Sequence, residues 1–421
     1  MYSHEKAVAE LSSISTLLSA CETDDQTRSL LEADISTVND QINTFVEDES
    51  EIIQLRLAIR NILSTFLHLI HRERIKMLTE SNLSIHEQDL RVYCGSIVDH
   101  YSSLLTTSGM SAYSLAEDHL INQKMQPGDI IICSESVYYR IKQRLERLRK
   151  FFNIHFKAIE ELEADITSMQ PKLVVVDTMG NDSAMRMTNI GALLDVIREN
   201  NAKEVSLIID GTMLPNTTQL SPSDENMYYI ESAGKYLQLH TASHNSGVLV
   251  SPRNSIPSLQ ASRRNLGSNP ASDFAFHLDE SPDAYKKRLT RTSNNAAQAA
   301  HYLNNELPPS KLSVVHPDLE NHPDHLLAKK LKNMGGNLVL KAPPDISFSK
   351  LKAITNKIVS DAQISDIVLS NVSNFGGVEP RILCAGSAQN DFVPFIRLYV
   401  GDTSQEYTQR LANCIVDSVN S

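Results

Sequence analysis

The chain lacks the features that would tie it to a membrane, a secreted scaffold or a nucleic acid. No uninterrupted apolar run approaches the roughly eighteen residues of a membrane span. The nearest candidate, 52–78, is broken by Arg56, Arg60, His68, His71, Arg72 and Arg74 and reads as an amphipathic helix. Cysteine is sparse. The five present (Cys21, Cys94, Cys133, Cys384 and Cys414) are odd in number and fit no metal or redox spacing. With no secretory segment at the start, a reducing, cytoplasmic setting is expected. Positive charge is also short. Lys and Arg number 39 against 51 Asp and Glu, a net charge of −12, which argues against a nucleic-acid partner. The deficit is concentrated at the start, where twelve carboxylates between Met1 and Ile53 meet only Lys6 and Arg28.

What is present is ordinary globular material, 41% hydrophobic and 21% charged over 421 residues, enough for two or three domains with substantial cores. Residues 1–85 read as helical. Apolar residues recur there at three- and four-residue spacing with neither Gly nor Pro. The acids Glu47–Glu51 suit a helix junction or an N-terminal turn. From about residue 86 strand-like runs (GDIIICSE, KLVVVDT, VSLIID, MYYIES, SGVLVSP) alternate with helical stretches. That order predicts an α/β fold with a largely parallel, doubly wound sheet. Beyond about residue 286 a long helix leads into a smaller α+β region. Its predicted strands are GGNLVLKA, DIVLSNVS and FIRLYVG. The expected organisation is a helical extension at 1–85, a large α/β domain at 86–286 and a small domain at 287–421.

Asp210 and Lys235 carry the most chemistry. Asp210 closes the run Val205–Ile209, and Lys235 follows the run Met227–Ile230. In an open α/β sheet ligands gather at the carboxyl ends of the strands, so the two can converge on one ligand. A carboxylate and an amine so placed suit pyridoxal phosphate, the acid on the pyridinium nitrogen and the lysine as the Schiff-base amine. Each has a plainer reading, a turn or cap for the Asp and a solvated charge for the Lys. Ser232-Ala-Gly-Lys235 also fits the S-x-x-K of serine acylases, but no K-T-G accompanies it. A phosphate loop is excluded, since Tyr236 follows the lysine and no Gly stands five residues before Gly234.

Read in order, 86–402 resembles the cysteine/methionine-metabolism family of pyridoxal-phosphate enzymes, which includes cystathionine γ-synthase, the cystathionine lyases and methionine γ-lyase. Ser108-Gly109-Met110 is similar to its S-G-M segment, and Gly128-Asp129 with Tyr138 to its G-D…Y segment. Asp177-Thr178-Met179-Gly180-Asn181 stands where the family has E-T-P-x-N-P. Asp210-Gly211-Thr212 resembles D-N-T, and Ser232-Ala-Gly-Lys235-Tyr-Leu with His240 resembles S-A-T-K-Y-L-x-G-H. Asn295-Ala296, the His-Pro segment 316–325, Met334-Gly-Gly336, Phe375-Gly-Gly-Val-Glu379 and Arg397-Leu-Tyr-Val-Gly401 continue the series.

The resemblance implies the fold-type-I architecture with a mostly parallel seven-stranded sheet. It implies pyridoxal 5'-phosphate as cofactor, an amino-acid substrate and a homodimer or homotetramer. Ser108, Gly109, Met110 and Ser232 would hold the cofactor phosphate, the glycine and helix N-terminus allowing close backbone approach. Tyr138 would stack on the ring and act as acid or base, and Asn181 would bond the phenolic oxygen. Asp210 would pair with the ring nitrogen, while Lys235 would hold the cofactor and move protons. Arg397, with Asn374 beside it, would bind the substrate carboxylate through a planar fork. The implied reaction is elimination or replacement at Cβ or Cγ, typically at a C–S bond.

Departures from the pattern also stand in the sequence. The family's Tyr-x-Arg phosphate clamp from the neighbouring subunit should fall in 77–88, which holds neither Tyr nor Arg; Arg72, Arg74 and Lys76 lie just upstream. Gly234 replaces a Thr, Asn374-Phe375 replaces Ser-Leu, and a helical leader of this kind is unusual in the family. These departures are what an inactive scaffold with a partner-binding leader would show. His316, His322 and His325 with Asp318 and Asp324 match no standard metal-ligand spacing, so no metal site is expected.

Overall fold

The computed structural model describes residues 11–12, 15, 25–43, 58–59, 62, 90–199, 204–237, 245–270, 281–386 and 393–421. The leader contributes helix α1 (Asp25–Asn43). Residues 11–12, 15, 58–59 and 62 of the leader are helical as well; the remaining parts of its predicted helices, His68, His71, the basic group Arg72, Arg74 and Lys76, the 77–88 segment and His240 lie outside the described residues.

A short helix α2 (Arg91–Cys94) and strand β1 (Gly95–Ile97) lead into the main sheet. Its strands are β2 (Tyr101–Thr106), β3 (Ile130–Ser134), β4 (Asn153–Lys157), β5 (Leu173–Asp177), β6 (Ser206–Asp210), β8 (Met227–Ser232) and β9 (Gly247–Pro252). The spatial order is β2-β9-β8-β6-β5-β3-β4, a seven-stranded sheet. The five strands from β8 to β4 are mutually parallel, and β9 runs antiparallel to both neighbours. Strand β7 (Thr218–Leu220) pairs separately with β1.

Helices cover both faces, which is why the central strands read as unbroken apolar runs. Leu173 and Val175 of β5 enter one core with Tyr113, Leu115 and Leu120 of α3 (Gly109–Lys124) and Ile141 and Leu145 of α4 (Tyr139–Leu148). Val174 and Val176 point into the other core. There they meet Leu162 and Ile166 of α5 (Leu162–Met169) and Leu193, Leu194 and Ile197 of α6 (Ile190–Glu199). The same two-residue alternation sends Leu207 and Ile209 one way and Ile208 the other. Helix α7 (Ile256–Asn265) adds Leu259 beside α3.

The long helix α8 (Pro282–Glu306) is shared between cores. Tyr285 and Leu289 pack under the main sheet, whereas Ala296, Ala299, Ala300 and Leu303 pack against the smaller one. That second sheet has the order β10-β11-β14-β13-β12. Its strands are β10 (Ser313–Val315), β11 (Asn337–Lys341), β12 (Ser370–Asn371), β13 (Arg381–Ala385) and β14 (Phe395–Tyr399). The helices behind it are α10 (Phe348–Ile364) and α11 (Gln405–Asn420), with α9 (His325–Ala328) a single turn between β10 and β11.

Two sequence readings need correction here. The run DIVLSNVS forms only the two-residue β12, because Ile367 and Leu369 fill the helix-side core from a non-strand segment. The edge strands β2 and β4 escaped the reading, since YSSLLT and NIHFK carry polar residues that an unbroken apolar run does not.

Candidate active site

Ten residues that the sequence singles out line one cavity of about 750 Å³: Ser108, Gly109, Met110, Tyr138, Asn181, Asp210, Ser232, Lys235, Asn374 and Arg397. They come from seven separate stretches of chain. The carboxyl ends of parallel strands supply Asp210 and Ser232, the first turns of α3 and α4 supply 108–110 and Tyr138, and the small sheet closes the far wall.

At one end lies an anion cradle. Ser108 caps α3, its hydroxyl accepting the Ser111 N–H at 3.1 Å. The Gly109 and Met110 N–H groups belong to the first turn, where an α-helix offers no partner. A Cβ on Gly109 would sit 2.8 Å from the Ser232 Cβ, so glycine is what lets this helix end close on β8. Thr212 joins the two strand ends, its hydroxyl accepting the Ser232 N–H and its own N–H reaching Asp210, both at 2.9 Å.

Two buried carboxyls form the floor. Asp177 ends β5 and Asp210 ends β6, and they are register partners in adjacent parallel strands. Burial raises the Asp210 carboxyl, countered by its bonds from Thr212. Burial, and then the Asp210 charge, hold Asp177 far above the usual carboxylate range. One oxygen of Asp177 has no hydrogen-bond partner, and no basic side chain is ion-paired with Asp210 among the described residues. A floor of this kind fits a ligand that brings a cationic ring nitrogen. Tyr138 stands at the side, half-buried, with Tyr139 edge-on at 4.8 Å. Burial and that neighbour raise its phenol, so it is protonated at neutral pH.

Opposite the floor two cations share one ring. The Lys235 amine lies 4.6 Å and the Arg397 guanidinium 5.1 Å from the centre of Phe375. Burial, then the charges of Arg397 and Arg381, push Lys235 down to about 7. Burial pulls Arg397 to about 10, still cationic at neutral pH. Arg397 donates to the Asn181 side-chain oxygen at 2.6 Å and to the Ser373 carbonyl at 3.1 Å. Asn374 donates weakly to the Gly234 carbonyl at 3.5 Å.

The lysine loop is held from behind. Gly376 has φ +94°, and a Cβ there would lie 2.3 Å from the Lys235 carbonyl carbon. Arg288 of α8, buried to 1% exposure, donates to the Tyr236 carbonyl at 2.6 Å and to the Gly376 carbonyl at 3.4 Å. It thereby ties the lysine segment to the loop that carries Asn374 and Phe375. Glu231, directly before Ser232, is completely buried and accepts the Tyr229 hydroxyl at 2.8 Å. Burial is the main cause that pushes it up to about 8.

Sequence reasoning missed Asp177 as a site residue, although VVVDT repeats the strand-end pattern of LIIDGT. It also missed Phe375 as the ring that both cations approach. Nothing local marks that role, because it depends on a 140-residue separation from Lys235. The His-Pro segment packs as structure. His316 is fully buried, His322 meets the Ala184 carbonyl at 3.0 Å, and Arg186 holds Asp324 bidentately at 2.8 and 3.0 Å.

Residues 87–389 match the sequence profile described as Cys/Met metabolism PLP-dependent enzyme. The chain is 26% identical to mouse (Mus musculus) cystathionine γ-lyase over 233 residues, 54% of this chain and 56% of that one. It is 22% identical to the bifunctional enzyme flvA of Aspergillus flavus over 316 residues, 72% of this chain and 37% of that one. It thus spans little more than half the length of the first relative and less of the second. The fold is similar to cystathionine γ-synthase from Xanthomonas oryzae pv. oryzae in complex with cystathionine, with a TM-score of 0.65 and 20% identity. That similarity covers 80% of this chain and 86% of the other. The fold is that of the pyridoxal-phosphate enzymes called type I, and the chain belongs to the Cys/Met metabolism family of PLP-dependent enzymes.

Proposed function

We propose that the protein eliminates or replaces a β- or γ-substituent of an amino acid, with C–S bonds as the typical target. The observation that carries this reading is that Lys235 and Arg397 both lie over the Phe375 ring and line one cavity with the buried Asp210. Pyridoxal 5'-phosphate, when bound, supplies an electron-withdrawing ring that stabilises negative charge at the substrate α-carbon.

The chain's own residues divide the remaining work. The first-turn N–H groups of Gly109 and Met110, with the Ser232 hydroxyl, would receive the phosphate. Asp210 would hold the ring nitrogen through a hydrogen bond and favour its protonated form. Lys235 is the attachment amine. Its pKa near 7 makes it neutral often enough to act as a nucleophile, and afterwards to take a proton from the α-carbon. Arg397 binds the substrate carboxylate, with Asn374 beside it, and Asn181 orients the guanidinium. Tyr138, protonated at neutral pH, gives a proton to the departing group.

In this reading 86–286 form the cofactor domain, 287–421 the smaller domain and 1–85 a helical extension, in a cytoplasmic protein. Among the described residues, Lys235 and Arg397 are the basic side chains on the cavity lining, and this reading places them at the attachment point and the substrate carboxylate. A phosphate dianion at the cradle therefore calls for a further cation, from the leader or from a second copy of the chain in a dimer or tetramer. The reading is tested by supplying amino acids with thioether or ester leaving groups to the cofactor-loaded protein. Release of a 2-oxo acid, ammonia and the leaving group, or its exchange for another nucleophile, is expected. Conversion of none of them would sink it.

A further inference from the structure

The small sheet presents a four-residue block to the cavity. Phe395 and Arg397 are two residues apart on β14 and so share a face. Their register partners on β13 are Ala385 and Leu383, with Leu383 opposite Arg397 and Ala385 opposite Phe395. All four line the cavity. Leu383 and Ala385 remain part-exposed within it, and Phe395 is 4% exposed behind them. Directly opposed antiparallel residues have Cβ atoms about 5 Å apart, and the next pair along the same face is roughly 7 Å away. A substrate whose carboxylate rests on Arg397 can therefore lay its side chain along Leu383, Ala385 and Phe395. The charged residues of the lining among the described residues are Lys235, Arg397, Asp177 and Asp210, all already placed around the cofactor and the α-substituents.

We propose that this wall selects amino acids with an uncharged aliphatic or thioether side chain and discriminates against side chains ending in a charged or zwitterionic group. The proposal rests on the amino-acid reading above and narrows its substrate class. The physical ground is asymmetric. A methylene gains a modest amount from such a wall, whereas a terminal charge placed against it loses hydration and finds no partner on these three side chains.

The test uses two ligands of similar length that have no leaving group, L-norleucine and L-2-aminoadipate. Both are titrated by calorimetry, and by visible absorption, into the cofactor-loaded protein at fixed ionic strength. Norleucine is expected to bind about 100-fold more tightly, in line with the rejection of an unpaired polar terminus. In Leu383→Arg the preference should move towards aminoadipate by at least about tenfold. Equal affinities in the unmodified protein, or tighter aminoadipate binding, would overturn the wall as a selector while leaving the amino-acid reading intact. A loaded protein that answers neither ligand, nor alanine, overturns the amino-acid reading itself. The comparison in the unmodified protein decides the matter even where the variant folds poorly.

Discussion

Replacing Arg397 with Gln should raise the pH at which Lys235 becomes reactive. Burial is the largest cause of that amine's shift from 10.5 to about 7, and the Arg397 charge is the second. With both cations near the same ring centre, at 4.6 and 5.1 Å, they stand no more than about 10 Å apart. At an effective dielectric of about 20 that repulsion is worth at least roughly 1.7 kcal/mol, slightly more than one pKa unit. The variant should therefore titrate about one unit or more higher, yet short of the ordinary lysine value, because Phe375 and the loop behind it still exclude water. The assay mixes cofactor-free protein with pyridoxal phosphate across a pH series and quenches with borohydride. Attachment per unit time is then counted by mass spectrometry. Only the neutral amine attacks, so the rate rises through the lysine pKa, and the cofactor's own titration is common to both proteins. An unchanged midpoint would mean that the two cations do not interact at the Phe375 ring. A midpoint near 10.5 would mean that the guanidinium, and not burial, controls the lysine.

Other expectations follow from the same geometry. Asp210→Asn should lower turnover by about 100-fold or more while cofactor occupancy falls far less, since phosphate contacts carry much of the affinity; near-normal turnover in steady-state assays would place the ring-nitrogen partner elsewhere. Glu231 is held neutral in the fold up to about pH 8, whereas in the unfolded chain it ionises near its ordinary value. Its contribution to stability is therefore full below about pH 4.5 and is lost as pH rises through about 8, and Glu231→Gln should remove a few kcal/mol of that decline, read from urea midpoints at pH 5 and pH 8. Gly376→Ala, at φ +94° and with a Cβ 2.3 Å from the Lys235 carbonyl carbon, should displace the lysine segment. Slower cofactor attachment is the expected outcome, and an unchanged rate would show that the loop yields freely.

The sequence was most informative where chemistry sits at the end of a strongly apolar strand. LIID and MYYIES gave both the strands and the place of Asp210, Ser232 and Lys235, because burial on two faces leaves an unbroken hydrophobic run. It was less informative at sheet edges, where β2 and β4 mix polar and apolar residues, and at β12, which reads as a strand but pairs over two residues. Contacts made at long range were not legible at all. Phe375 beside two cations, Arg288 bridging the Tyr236 and Gly376 carbonyls, and the Leu383–Arg397 register each join segments whose separation no local pattern reports. Asp177 is the intermediate case. Its strand-end position was visible, but its role in the floor required the β5–β6 pairing.

Everything proposed for this cavity depends on Lys235 as the attachment point of pyridoxal phosphate. The most direct test is to load the purified protein with the cofactor, record its visible absorption, reduce with borohydride and map the modified peptide. The account predicts a yellow protein whose colour is bleached by borohydride. The reduced cofactor should be on Lys235, and Lys235→Ala should acquire none. Attachment at another lysine, a coloured and reducible Lys235→Ala, or no attachment with excess cofactor would contradict it.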